Sequence, residues 1–467
     1  MTLFFSSKNP ATDLVVWKGT EATPQEIEAA ITRAAAGQKQ FQKTAFKERV
    51  RIAEKFATLL DDSFAELISK EMGKPLWESK SEVEAMKRKV AISIEAALER
   101  CPTRDKDGSG YTHKPHGVVA VFGPFNFPGH LSNGHIVPAL LAGNSVIFKP
   151  SELTPAVGMS MHNLWKEAGL PDSQLQVLQG GKEVGRQIVA NRLIRGIFFT
   201  GSYAVGRSIQ EASAAYPERI LALEMGGNNP LIVSSVSSIE AAVYLTIQSA
   251  YLTSGQRCSC AKRLLLIQNK TSEQFLQALI QTAKKLMIAP YTTRPEPYMG
   301  PVINAAAATK IQQQYEALKQ LGGKPLIDLK RFDEESAFLS PALIDVSGCS
   351  VPDEEIFGPV LQLHMVKNLD VAISMANHTS YGLCAGIISD SAQEYERVQD
   401  EVKAGVINWN MPTTGASSHA PFGGLGQSGN FRPSAYYAAD YSAYPVAFMT
   451  KETAALPPTL PPGFPHV

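Results

Sequence analysis

From residue 117 onward the chain alternates short apolar runs with segments of helical spacing, and nothing else limits its fold as strongly. The runs are GVVAVFG (117–123), SVIF (145–148), LQVL (175–178), GIFF (196–199) and ILALE (220–224), with helical segments around 131–142, 157–169, 183–190 and 204–214. Strands without polar alternation are buried on both faces, and strands separated by helices pair in parallel through right-handed crossovers. The expected fold class is α/β with a parallel sheet. A second α/β stretch covers about 231–425, with helices near 237–252, 272–287, 305–321, 369–376 and 391–402.

Ahead of both, residues 23–101 read as helical. Thr23-Pro24-Gln25-Glu26 is a capping box with proline in the first turn, and Ile27, Ala30, Ile31 and Ala34 follow at helical spacing. Two more helices are expected, over 46–71 and 77–100. The polar, glycine-rich RDKDGSGYTHKPHG (104–117) is a loop or a projecting β-hairpin, and the proline-rich LPPTLPPGFPHV (456–467) reads as an extended tail.

Charge narrows the class of partner. Lys+Arg and Asp+Glu both number 44 in 467 residues, so the basic surface that nucleic acid or an anionic membrane requires is not expected. Charged residues are only 19%, below the usual quarter, which points to a large core and buried subunit interfaces. The most apolar stretch, HIVPALLAGNSVIF, is interrupted by Pro138 and Asn144 and falls short of a membrane span. MTLFFSSKNP lacks the basic region of a signal peptide, and five scattered cysteines form no disulfide framework. The expectation is a soluble cytoplasmic protein.

Three strand-end segments suit ligand binding, since parallel sheets bind beyond the carboxyl ends of their strands: FGPFNFP (122–128), FKPSE (148–152) and FTGSYAVG (199–206). Gly201-Ser202 opens a helix after a strand, which is either a phosphate cradle or an ordinary turn. Cys258 in SGQRCSC is either a small buried hydrophobe or a nucleophile beside Arg257. Cys260 lies two residues on, yet no nearby His or Cys completes a metal-ligand set, so no metal is expected. Glu224, ending ILALE before Met225-Gly226-Gly227, is a capping carboxylate or a general base of raised pKa. Asn126 is a turn residue or an amide donor for an oxyanion.

Taken in order, FGPFNFP, VIFKPSE, FTGS with VG following, LEMGG, GQRCSC, EEIFGPV and PFGGLGQSG resemble the aldehyde dehydrogenase superfamily across nearly the whole chain. The resemblance implies a Rossmann-type NAD-binding domain (1–98 and 117–227), an α/β catalytic domain (228–429) and oligomerisation strands (99–116 and 430–450) that cross to a neighbour. Residues 451–467 would be the tail. It implies Cys258 as nucleophile, Asn126 with the Cys258 N–H as oxyanion donors, and Glu224 as the base that activates water. For the cofactor it implies Lys149 and Glu152 at the adenosine ribose, Gly201, Ser202 and Gly206 at the pyrophosphate, and Glu355 and Phe357 at the nicotinamide ribose and ring. The Glu152 carboxylate accepts from a free 2′-OH and repels a 2′-phosphate, favouring NAD over NADP.

Departures from the superfamily pattern narrow the branch. Asn228 follows LEMGG where lysine is common, Gly426 stands where PFGG is usually followed by lysine, and Phe125 replaces a frequent tryptophan. With NFPGHLSNGHIVPALLAGN and RPSAYYAADYSAYP these look most like the branch oxidising N-succinylglutamate 5-semialdehyde in arginine catabolism, although Ser132 stands where that branch usually has proline. Arg257 and His419, with Arg104 behind them, are the candidate cations for the substrate's carboxylates; Arg257 can equally pair with a nearby protein carboxylate. A homodimer or homotetramer is expected. Other readings are a dehydrogenase of another short aldehyde, such as an aminoaldehyde or succinate semialdehyde, and a non-catalytic scaffold on the same fold.

Overall fold

The computed structural model describes residues 3–465; the ends of the start segment and of the tail, residues 1–2 and 466–467, lie outside them. Two large sheets organise the chain. The first has five parallel strands in the order Leu175–Val177, Ser145–Lys149, Val118–Phe122, Ile194–Gly201, Ile220–Met225. Period-two alternation splits the central strand between two cores. Val118, Ala120 and Phe122 pack with Ile27, Ile31 and Ile188, while Val119 and Val121 pack with Phe56, Ile68 and Trp165. Helices therefore cover both faces, which is why the central strand carries no polar position.

The second sheet has seven strands, Lys324–Ile327, Ala342–Asp345, Val360–Val366, Ala261–Ile267, Asn229–Val233, Cys384–Ile388 and Val406–Trp409, parallel except for the first, an antiparallel edge. The same division recurs: Leu264 and Leu266 face one core, Leu265 and Ile267 the other. The chain crosses between the sheets over the short step from Met225 to Asn229.

Most expected helices are present, and the capping box is formed, with the Glu26 N–H donating to Thr23 Oγ1 at 3.2 Å. The helix expected over 46–71 is two helices, Phe46–Leu59 and Asp62–Met72. Leu60 leaves the helical region (ψ 126) and Asp61 caps the second helix by accepting from the Phe64 N–H at 3.1 Å. A hairpin, Phe4–Lys8 with Val15–Thr20, precedes the first helix and had no counterpart in the sequence reading. The segment 104–117 takes the hairpin alternative: Arg104–Lys106 and Ser109–Pro115 pair, and Ala443–Met449 adds a third antiparallel strand. Residues 451–465 form no helix or strand and are largely exposed.

Candidate active site

Three consecutive left-handed residues deliver Cys258. Thr253, Ser254 and Gly255 have φ of 53°, 55° and 72°, and for non-glycine residues that region costs roughly 1–2 kcal/mol each. Neighbours hold the turn in place. Glu78 accepts from the Thr253 N–H at 3.0 Å and from its hydroxyl, Ser254 Oγ donates to Gly300 O at 2.7 Å, and Lys262 Nζ donates to Gly255 O at 2.6 Å. Gly255 sits against the Gly358 carbonyl, leaving no room for a Cβ. Beyond the turn, Asn229 Nδ2 donates to the carbonyls of Cys258 (2.6 Å) and Cys260 (2.9 Å). The nucleophile candidate is thus fixed by its backbone, and among the described residues its own N–H has no intramolecular acceptor.

Asn126 comes from the loop after strand Val118–Phe122. Its Nδ2 donates to Gln256 O at 2.8 Å, which orients the amide beside the Cys258 turn and leaves its second N–H available. Glu224 ends strand Ile220–Met225, paired across the sheet with Thr200. It is 3% exposed and its Oε1 is buried without a partner. Burial raises its pKa to about 7, partly offset by the Ser434 hydroxyl and by Lys89. Cys258 keeps a partial opening to the cleft while dense packing, with Cys384 and the carboxylates of Glu224 and Glu355 contributing, raises its thiol well above the ordinary range.

Asn126, Glu224 and Cys258 line one cavity of about 260 Å³. Arg257 lines it as well, but its guanidinium is taken up by Glu78 at 2.7 Å and by Thr253 Oγ1 at 2.8 Å, over the face of Phe127. His419 is not part of the cavity wall; it is exposed, 3.7 Å from Glu95. Arg104 is exposed on the three-stranded sheet. Sequence reasoning passed over Lys89, His130, Glu78 and Glu82, all of which line the cavity. Positions 78, 82 and 89 share one face of helix Leu76–Arg100 with Met86, a spacing visible in the sequence. Charges at that spacing read as a solvated face, and only packing shows them buried.

None of the cofactor candidates is part of that cavity's wall. Lys149 ends strand Ser145–Lys149, is buried, and donates to Pro150 O (3.2 Å) and Glu152 Oε2 (3.3 Å), while Glu152 is half exposed. Ser202 precedes helix Tyr203–Ser213, yet its hydroxyl caps none of the helix N–H groups. Gly206 packs so tightly on Met225 that a Cβ would overlap the methionine side chain. Glu355 lies against Gly226, and burial raises its pKa to about 7 although Lys262 opposes this; its Oε1 is buried without a partner. Phe357 meets Phe125 edge-on, with centroids 5.9 Å apart. Among the described residues no group of three or more His, Cys, Asp or Glu is placed to hold a metal, and no helix is long and apolar enough to cross a membrane.

Comparison with known proteins matches residues 3–444 to the family described as the aldehyde dehydrogenase family. The N-succinylglutamate 5-semialdehyde dehydrogenase of Burkholderia lata is 46% identical over 98% of this chain and 96% of its own length. That of Chromobacterium violaceum is 47% identical over 97% and 95%. Among solved structures, the NADP-dependent glyceraldehyde-3-phosphate dehydrogenase of Bacillus halodurans, complexed with NADP, aligns with TM-score 0.88 and 27% identity over 95% of each chain. A structure from Sinorhizobium meliloti complexed with NAD aligns with TM-score 0.91 and 25% identity, over 97% of this chain and 95% of that one.

Proposed function

This chain belongs to the aldehyde dehydrogenase family, and on that premise we propose that it oxidises N-succinylglutamate 5-semialdehyde to N-succinylglutamate with NAD, as a step of arginine catabolism. The observation that carries the chemistry is the convergence of Cys258, Asn126 and Glu224 on one cavity. The substrate rests on 46–47% identity to relatives of that name over nearly the full chain.

The residues divide the work as follows. The Cys258 thiol must lose its proton before attack, and Glu224, about half ionised near neutral pH, is the carboxylate facing the same cavity. The thiolate adds to the aldehyde carbon, giving a thiohemiacetal. The free N–H of Asn126 and the backbone N–H of Cys258 take the oxyanion, as preorganised donors in a partly closed cavity. NAD, when bound, supplies the hydride acceptor that turns this adduct into a thioester on Cys258. Glu224, once it has passed the thiol proton on to solvent, takes a proton from water as the water oxygen adds to the thioester carbon. The C–S bond breaks, the acid leaves and Cys258 recovers its proton. Because Glu224 hydrolyses the thioester, transfer to coenzyme A is not expected.

The residues present fit NAD. The uncommitted Ser202 hydroxyl and the close-packed Gly206 mark a helix start open to phosphate, and the partnerless Glu355 Oε1 awaits a hydroxyl donor. Lys149 and Glu152 would hold the adenosine ribose, Gly201 and Ser202 the pyrophosphate, Glu355 and Phe357 the nicotinamide ribose and ring. Residues 1–98 and 117–227 form the cofactor domain in this reading and 228–429 the catalytic domain. The three-stranded sheet projects with exposed edges, Met449 being 89% exposed, which suits pairing with a neighbouring subunit in a homodimer or homotetramer. The enzyme would work in the cytoplasm. An aldehyde panel assayed with NAD and NADP tests the reading: propanal or 4-aminobutyraldehyde exceeding the succinylated semialdehyde in kcat/KM would overturn the substrate.

A further inference from the structure

Around the cavity in front of Cys258 one buried cation lacks an ion-pair partner among the described residues. Lys74 pairs with Glu82 and Arg257 with Glu78, each at 2.7 Å. Backbone donors also occupy those carboxylates: Glu82 Oε1 accepts from the N–H groups of Gly129 and His130, both at 3.0 Å, and Glu78 Oε1 from that of Thr253. Lys89 is left over. It lines the cavity at 2% exposure, and its ammonium donates to Ala435 O at 2.6 Å. Among the described residues it has no carboxylate within ion-pair distance. An ammonium buried with no paired carboxylate, and only the more distant Glu224 to offset it, is costly, and an anionic ligand would relieve that cost.

A second feature of the same wall points to an anion. His130 Nδ1 is buried without a partner. Burial first, then Lys89, Lys74, Arg88 and Arg257 around it, keep the imidazole neutral to about pH 3. A neutral ring still has one N–H to donate, and it sits among cations that would draw a carboxylate toward it.

We infer that Lys89 anchors a carboxylate of the aldehyde substrate, with His130 as a neutral donor beside it, given the substrate proposed above. Lys89 lines the same cavity as Cys258 and Glu224 and so lies near the reacting centre. Of the two substrate carboxylates this selects the α-carboxylate, which is nearer the aldehyde carbon than the succinyl terminus. Arg257, already neutralised by Glu78, is then a wall residue that orders the turn before Cys258.

The test begins with the wild-type ratio of kcat/KM for N-succinylglutamate 5-semialdehyde to that for propanal. Lys89→Gln, which keeps a donor for Ala435 O, should lower this ratio about 10- to 100-fold, mostly through KM, and Lys89→Arg should recover most of it. An equal loss on both aldehydes overturns the inference, since Lys89 would then serve Ala435 or Glu224 instead. A measurement on unaltered enzyme guards against a misfolded variant. With propanal as substrate, N-succinylglutamate should inhibit competitively and its α-methyl ester at least about 10-fold more weakly. Equal inhibition by acid and ester also overturns it. A wild-type ratio that favours propanal would instead sink the substrate proposal, and the acid-against-ester comparison would still judge Lys89 alone.

Discussion

The two large sheets meet the cleft with opposite ends. From the five-stranded sheet the site residues come at or just after the carboxyl ends of strands: Asn126 after Val118–Phe122, Lys149 at the end of Ser145–Lys149, Ser202 after Ile194–Gly201, Glu224 near the end of Ile220–Met225. From the seven-stranded sheet they come just before strands begin: Cys258 ahead of Ala261–Ile267, Glu355 and Phe357 ahead of Val360–Val366. The first rim obeys a general rule of open parallel sheets. The second does not, and needs outside support. Its key turn has three left-handed residues and is gripped by Glu78 from helix Leu76–Arg100, which packs in the first sheet's core. One sheet thus presents its candidate ligand residues by topology alone, and the other presents Cys258 only when docked against the first.

The largest effect belongs to the second rim. Cys258→Ala should lower turnover by on the order of 10,000-fold or more while NAD binding, followed by fluorescence titration, persists. Substantial residual turnover would remove the nucleophile from that rim. Glu224→Gln, on the first rim, should form NADH in one rapid burst and then slow roughly 100- to 10,000-fold, because hydride transfer precedes hydrolysis. A normal steady state in stopped-flow would assign the base elsewhere.

The same contrast extends to stability. Gly255→Ala on the second rim meets the Gly358 carbonyl and requires φ of 72°, so a loss of about 3 kcal/mol or more is expected in urea unfolding. Gly206→Ala on the first rim meets only side chains, those of Met225 and Phe199, and should cost about 1–3 kcal/mol. Equal costs would mean the strained turn is not specially constrained.

Glu224 also predicts a pH effect of definite sign. Its folded pKa is raised from 4.5 to about 7, so folding favours the protonated form, and the stability conferred by protonation is lost as pH rises from about 4.5 through 7. Glu224→Gln should therefore stabilise the protein relative to wild type at pH 8 and not at pH 4, by at most about 3 kcal/mol. Thermal unfolding at both values checks it. The smallest effect is at Glu152. This half-exposed carboxylate is tied to Lys149 at 3.3 Å, and Glu152→Gln should narrow the NAD-over-NADP preference several-fold in kcat/KM. An unchanged ratio would place cofactor discrimination at another position.

The apolar runs at 117–123, 145–148 and 220–224 were legible as strands because burial on both faces leaves polar residues only at their ends, Ser145 and Glu224. The break at Leu60–Asp61 was not, since the apolar spacing of 46–71 continues across it and only the Asp61 cap marks the stop. The N-terminal hairpin was hidden for a different reason: Phe4 is exposed while the buried position of its strand is the polar Ser7, so no apolar period marks it.

What the sequence determined by itself is therefore the parallel α/β architecture, the family, and the identities of Cys258, Glu224 and Asn126 as candidates, because hydrophobic period and ordered motifs are local properties of the chain. Tertiary structure alone decided which charges are spent and which are free. Arg257 beside Cys258 is consumed by Glu78, which is far away in sequence, while Lys89, on a helix that reads as solvated, stands buried at the cavity without an ion-pair partner among the described residues. Pairing and desolvation depend on distances between remote segments, and a linear sequence does not contain those distances until the two sheets have closed on each other.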